Sequence, residues 1–437
     1  MSVAHTSAPF TGTAAPPPAA VRPAIRAALA GLALFTLLVS ANLATPLFPL
    51  LEVRLGFGPV GTTIAFSSYV LSLIAGLVIF TRFADVTNRR TVLVTSLLIA
   101  AFATAWLAYA PSLLWFSLGR ALQGVAIACA TGIASGALRA LCSGGPPVAS
   151  RLTLVASAGG VAMGPIVGGA LSQAGDPVAT PFTIVAIMLV LLVPAIILAA
   201  PYWACEPPEP APAAAAQPAA APAPDAGRRP RVGPDAQVGP GTQAGRQTRT
   251  FWHAAAMGFL SFTVFGFCLS LAPSFFSATL GVDSRAAIGM LAAITLVTSA
   301  LAQLLPLHGA WRFPGGLLLL MISMGVLAWG GAIGSAALVI GACAAAGIGQ
   351  GIAFATAFGA ATAAVSPAQH GSTVTKIYIV TYLGSAIPVL ALGGLTEALG
   401  ISQAVSLFAV VTAAGCGALL AAYLLKRRAG SEHRPAH

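Results

Sequence analysis

With 437 residues, only 7% of them charged, and a mean hydropathy of +0.90, this chain is too apolar for a water-soluble fold, whose domains carry about 25% charged residues. The net charge of +11 is therefore a signal of membrane topology and not of affinity for nucleic acid, and no nucleic-acid partner is expected. The chain is expected to be an all-α membrane protein.

Residues 1–22 are rich in Ala, Pro and Thr and cannot bury a core, so they are expected to be disordered. Apolar segments of spanning length follow at 27–51, 60–81, 91–110, 112–139, 152–173 and 181–203. Arg22 and Arg26 precede an apolar stretch with small residues at Val39-Ser40-Ala41, which resembles a signal peptide. The apolar character continues through Leu51, however, so the segment is expected to stay and to span. A Pro/Ala-rich break at 204–250 carries Arg228, Arg229, Arg231, Arg246 and Arg249, and is expected to be a solvated tether. Six further segments follow at 251–279, 286–307, 315–334, 336–364, 374–396 and 402–425, then a tail over 427–437. Six plus six segments define two bundles, 23–203 and 251–426, giving twelve transmembrane helices.

The basic residues set orientation. Arg22, Arg26, Arg82, Arg89, Arg90, Arg139, Arg151, the tether, Arg312 and Lys426 to Arg428 fall at one end, here the basic end, while Arg54 and Arg285 fall at the other. By the positive-inside rule both termini and the tether are expected in the cytoplasm, with the protein in the inner (plasma) membrane. The six cysteines are dispersed, without metal-ligand spacing, and are read as small core residues. No metal and no cofactor is expected.

The two bundles look alike. Gln123-Gly124-Val125-Ala126 matches Gln350-Gly351-Ile352-Ala353, and Gly132 and Gly359 keep the same offset of 227. That offset also lays the first two segments on the seventh and eighth. Two repeated six-helix bundles are an architecture of rocking transporters with a site near the bilayer midplane.

Three motifs carry the functional reading. Gly160, Gly164, Pro165, Gly168 and Gly169 lie within one apolar segment. In water each glycine would cost a helix roughly 1 kcal/mol and the proline about 3; in lipid they let a second backbone come close. Gly160, Gly164 and Gly168 share one helical face. Arg120, followed by Gln123 and Gly124, lies deep in the fourth segment, where an arginine costs at least roughly 2.5 kcal/mol unless it faces a partner or water. The plainer alternative is an arginine satisfied by backbone carbonyls and Gln123 that ties helices together. Between the second and third segments, Asp85 sits among Arg82, Arg89 and Arg90, where an acid at a helix end can hold a neighbouring terminus in one conformation and release it in another.

These stretches resemble the major facilitator superfamily. Thr81–Arg90 is similar to its G-x-L-A-D-R-x-G-R-R loop, departing at Thr81, Val86 and Asn88; Arg120–Gly124 resembles R-x-x-Q-G; and Gly160–Gly169 fills every named position of G-x-x-x-G-P-x-x-G-G. Gly384, Pro388, Gly393 and Gly394 form a loose echo, and Asn42, Pro46, Pro49 and Glu52 resemble the first-helix ending of the twelve-span drug:proton exporters. The resemblance implies two pseudo-symmetric six-helix bundles and, for the Gly160–Gly169 pattern, antiport that exports compounds, with that pattern contacting the other half. It implies a small-molecule substrate, protons as coupling ion and a monomer in the bilayer.

If that layout holds, Phe262, Phe265, Tyr378 and Tyr382 offer an aromatic wall to a bulky apolar or amphipathic compound, and Asn42, Gln123, Gln303 and Gln350 are the expected polar lining beside Arg120. No Asp or Glu lies in the middle of any segment, so proton coupling rests on the resemblance. The expected activity is proton-coupled export of small organic or drug-like compounds. The alternative is transport of a polar metabolite, such as a sugar or an organic anion; an anion would itself supply the charge that Arg120 lacks. A membrane-embedded enzyme would need a cluster of His, Asp, Glu or Cys, and none has the spacing.

Overall fold

The computed structural model describes residues 22–80, 88–142, 144–205 and 240–432. Among these described residues twelve helices are long and apolar enough to cross a membrane: span 1 (Pro23–Leu55), span 2 (Pro59–Phe80), span 3 (Arg89–Ala108), span 4 (Leu113–Leu141), span 5 (Val148–Leu171), span 6 (Ala179–Ala199), span 7 (Gln247–Leu269), span 8 (Arg285–Leu304), span 9 (Arg312–Ala332), span 10 (Ala336–Ala363), span 11 (Gly371–Leu399) and span 12 (Ile401–Leu425). Their outward faces leave large apolar side chains bare, such as Leu191, Leu198, Val410 and Val411, which hydrocarbon tolerates and water does not.

Span 1 is broken. Its helix stops at Asn42, passes through a 3-10 turn at Thr45–Leu47 and resumes as Phe48–Leu55. Pro46 and Pro49 explain the break, because each lacks the N–H that would continue the ladder. Span 7 repeats the device: its helix ends at Leu269 and a short helix, Ala272–Leu280, follows with Pro273 in its first turn. Gly56 and Gly281 close the two extensions in left-handed conformation, with φ of 67° and 64°.

The packing is the same in both halves. Spans 1 and 4, 1 and 5, 1 and 6, 2 and 4, 3 and 4, and 3 and 6 pair in the first, and their counterparts six places on pair in the second. Across the halves, span 5 packs on span 8 and span 11 on span 2, one pairing being the symmetry mate of the other.

The repeat is shifted from the register that the sequence suggests. Gly124 lies against Tyr69 and Ser72 of span 2, and it is Gly347, not Gly351, that lies against Thr295 and Thr298 of span 8. Spans 4 and 10 begin at Leu113 and Ala336, which gives the same pairing. Gln350-Gly351 thus sits one turn further along its helix than Gln123-Gly124. A slip of four residues keeps the helical face, so Ala/Gly-rich helices conceal it.

Two boundaries also differ. The helix of span 7 starts at Pro240, inside the stretch expected to be tether, and the last helix runs to Glu432 through the expected tail. At the end opposite the basic one, the exposed Asp176 carboxylate accepts from the backbone N–H of Ala179 at 2.6 Å and Val178 at 2.9 Å. These bonds, with Arg54 at 3.5 Å, hold its pKa below the usual carboxylate range.

The glycine stripe is divided between two partners. Gly160, Gly164 and Gly168 lie on span 1, against Phe35, Asn42 and Leu43, while Gly169 meets Arg285 and Ala286 of span 8, and Gly289 of span 8 returns the contact to Pro165. The shared face therefore serves packing within a half, and the Pro165–Gly169 flank reaches the other half. Gly164→Val should lower the thermal unfolding midpoint of the detergent-solubilised protein by several degrees, because a Cβ there would sit 2.6 Å from Asn42 Cβ. Gly136→Ala, which meets nothing within 4 Å, should leave the midpoint within a degree or so.

Candidate functional site

Arg120 enters the bundle from span 4 about 10 Å below the helix start, at 1.5 Å per residue. Its side chain is only 2% exposed. One guanidinium nitrogen, Nη1, donates to the carbonyl of Ala41, beside the break in span 1, and to Gln123 Oε1 at 2.9 Å. The Gln123 amide donates in turn to Thr104 Oγ1 of span 3 at 2.9 Å and to the Ser40 carbonyl at 3.4 Å. The Tyr69 ring of span 2 lies under the guanidinium carbon at 4.6 Å, a distance at which the π face attracts the cation. One arginine thus joins spans 1, 2 and 4, and reaches span 3 through Gln123. Dipoles and a ring, and no carboxylate among the described residues, hold the guanidinium, while its Nε is left without an acceptor.

The aromatic residues converge on the other half. Phe262 meets Tyr382 at 5.3 Å, Phe265 at 5.4 Å and Phe354 at 6.4 Å between centroids. Tyr382 stacks with Tyr378 at 6.0 Å, Tyr378 meets Phe358 at 5.7 Å, and Phe358 meets Phe354 at 5.6 Å. Phe262, Tyr382, Tyr378, Phe358 and Phe354 therefore form a closed circuit drawn from spans 7, 10 and 11, each ring half-buried. Tyr382 and Phe265 also pack against a core cluster that draws on both halves and contains Tyr69. The circuit and the Arg120 cluster thus border one shared core.

The other expected lining residues bond to groups other than Arg120. Asn42 donates to the Leu38 carbonyl of its own helix at 2.8 Å and packs on Gly164. Gln303 is at the end of span 8 and donates to Ser299 Oγ at 3.3 Å. Gln350 is fully buried, with its Oε1 taking a 3.3 Å bond from Ser261 Oγ and its Nε2 left without an acceptor. Asp85 lies outside the described residues. Arg89 and Arg90 line a cleft at the basic end with Arg26, Leu93, Ile133 and Cys205.

Sequence reasoning passed over Tyr69, Thr104 and Asn88. The Asn88 side chain caps span 3, accepting from the N–H of Arg90 at 3.0 Å and of Thr91 at 3.4 Å, and its amide donates to the Tyr202 carbonyl at 2.9 Å. Its place just before a basic pair and an apolar run was the available signal.

The hydrogen bonds that join the halves among the described residues all lie away from the basic end. Ser274 Oγ donates to Glu52 Oε1 at 3.3 Å, the Val60 N–H to Glu397 Oε1 at 3.3 Å, Thr45 Oγ1 to the Leu269 carbonyl at 3.0 Å, and Arg285 to Ser172 at 3.1 and 3.2 Å.

Two matching six-helix halves, closed on each other at one end over a buried polar and aromatic layer, define a multi-pass membrane protein of the transporter class. The Major Facilitator Superfamily profile matches residues 30–389, and the chain belongs to that family. Among solved structures it is similar to a bacterial homolog of the human lysosomal transporter Spinster. The inward-facing, unoccupied form aligns with TM-score 0.72 and 16% identity over 95% of this chain and 99% of that one. The inward-facing, occupied form gives 0.66 and 16% over 92% and 96%. The nucleoside transporter NupG gives 0.63 and 14% over 92% and 99%. No curated relative matches the chain.

Replacing Arg120 by Gln should cost about 1.5–3 kcal/mol of stability, the usual worth of hydrogen bonds to a charged group. Chemical unfolding of the purified protein would read this as a lowered midpoint. An unchanged midpoint would contradict the tying role.

Proposed function

We propose that this chain exports small organic or drug-like compounds in exchange for protons, by alternating access of its two halves. The observation that carries the reading is the pair of symmetry-related seams, span 5 on span 8 and span 11 on span 2, built from glycines. Such seams let each half move as a body against the other. The circuit around Phe262 and Tyr382, with Arg120 and Gln123 opposite, supplies the binding layer, and its half-buried rings suit compounds with an apolar body. The G-x-x-x-G-P-x-x-G-G likeness supports export. Proton coupling rests on the family likeness, and among the described residues Glu52 and Glu397 are carboxyls that bond across the halves. The arginines at the basic end support a cytoplasmic location for that end and both termini, and the family likeness supports a monomer in the inner membrane.

Protein reconstituted into liposomes, with an imposed pH gradient and a mixed compound library, should move at least one compound against its gradient and dissipate the pH difference as it does so. Proton movement that ignores every compound would remove the antiport reading. Alternating access has its own test. Gly393 lies directly against the Thr63 side chain, so a Thr63→Cys, Gly393→Cys pair should crosslink on oxidation. Flux should then fall to background and return on reduction; undiminished flux through the crosslinked protein would contradict the rocking motion.

A further inference from the structure

We propose that the cargo is an amphipathic organic anion: one carboxylate, sulfonate or phosphate-monoester head on an aromatic or aliphatic body. This rests on the transporter reading above and specifies its substrate class.

The buried layer holds a cation and no acid. Arg120 is surrounded by two carbonyl-type oxygens and the Tyr69 ring, which stabilise its charge without cancelling it. None of the ten acidic residues in the sequence falls in the middle of a span. The layer between the halves therefore keeps a positive potential. At an effective dielectric constant of about 20, a unit charge about 10 Å away changes the binding of a monovalent ion roughly tenfold, in favour of anions and against cations.

The unmet hydrogen-bonding capacity points the same way. Arg120 Nε and Gln350 Nε2 are buried N–H donors without an acceptor. An anionic head brings acceptor oxygens, whereas an ammonium brings further donors.

The rings complete the description. Five half-buried aromatics in a closed circuit give an apolar body a surface on the opposite half, and Tyr382 packs against the core that contains Tyr69. Aromatic rings alone would equally suit an organic cation. Here the π face nearest the buried charge, that of Tyr69, is already occupied by Arg120, and the field of that residue opposes a second cation.

The test uses three probes with one body: 1-naphthoate, 1-naphthylmethanol and 1-naphthylmethylammonium, titrated calorimetrically into the full-length purified protein. The naphthoate should bind about tenfold tighter than the alcohol, and the ammonium more weakly than either. Arg120→Lys should keep that order, Arg120→Gln should bring naphthoate to the level of the alcohol, and Phe262→Ala should weaken all three in parallel. If Arg120→Gln does not fold, Gln350→Leu should weaken naphthoate severalfold and leave the alcohol unchanged. Tighter binding of the ammonium, or a naphthoate advantage untouched by Arg120→Gln, would overturn the proposal. Gradient-driven flux of the ammonium and not the naphthoate would overturn the anion while upholding the transporter. Tight naphthoate binding without flux of any probe would do the reverse.

Discussion

Close approach of helix backbones is the constraint on which the rest depends. In lipid, apolar side chains gain nothing by leaving one hydrocarbon environment for another, so helices hold together by contact and hydrogen bonding. Span 5 meets span 1 through Gly160, Gly164 and Gly168, each facing a carbonyl or Cβ of Phe35, Val39, Leu38, Asn42 or Leu43. Its other flank, Pro165 and Gly169, meets Gly289 and Arg285 of the second half. Span 11 repeats both contacts, with Gly384 against Phe259 of span 7 and Gly393 against Thr63 of span 2. Flat surfaces on both flanks of one helix give a joint that is tight within a half and smooth between halves.

The second constraint is electrostatic. A buried guanidinium costs several kcal/mol after relaxation unless its hydrogen bonds are met. Here the break in span 1 helps to meet it, because the helix stops at Asn42 and the Ala41 carbonyl is taken by Arg120. The same break turns the chain into the short helix that carries Glu52, whose carboxylate accepts from Thr62 in its own half at 2.6 Å and from Ser274 in the other. One local irregularity, fixed by Pro46 and Pro49, therefore orients the buried cation and one of the bonds closing the bundle.

Much of this was legible in the residues. Hydropathy placed twelve spans within a few positions, because twenty apolar residues in a row have few other uses. The glycine face and the depth of Arg120 were both visible in spacing alone. Register was not. Gln123-Gly124 and Gln350-Gly351 look equivalent, yet packing aligns Gly124 with Gly347, a turn that short apolar residues cannot mark. Partners were hidden too: whether Arg120 meets water, a ligand or Tyr69 depends on helices dozens of residues away in sequence. Asn42 and Gln303 illustrate the same limit, since each bonds within its own helix and neither joins the central cluster.

The central claim, that two repeated halves tilt against each other about glycine-built seams, is tested most directly by paired distances. Spin labels at Val53→Cys and Ala278→Cys report one end of the bundle, and labels at Gly136→Cys and Gly359→Cys report the basic end. Measured in reconstituted protein across substrate and pH conditions, the two distances should change in opposite directions, one lengthening as the other shortens. Distances that stay fixed at both ends, or lengthen together, would contradict it.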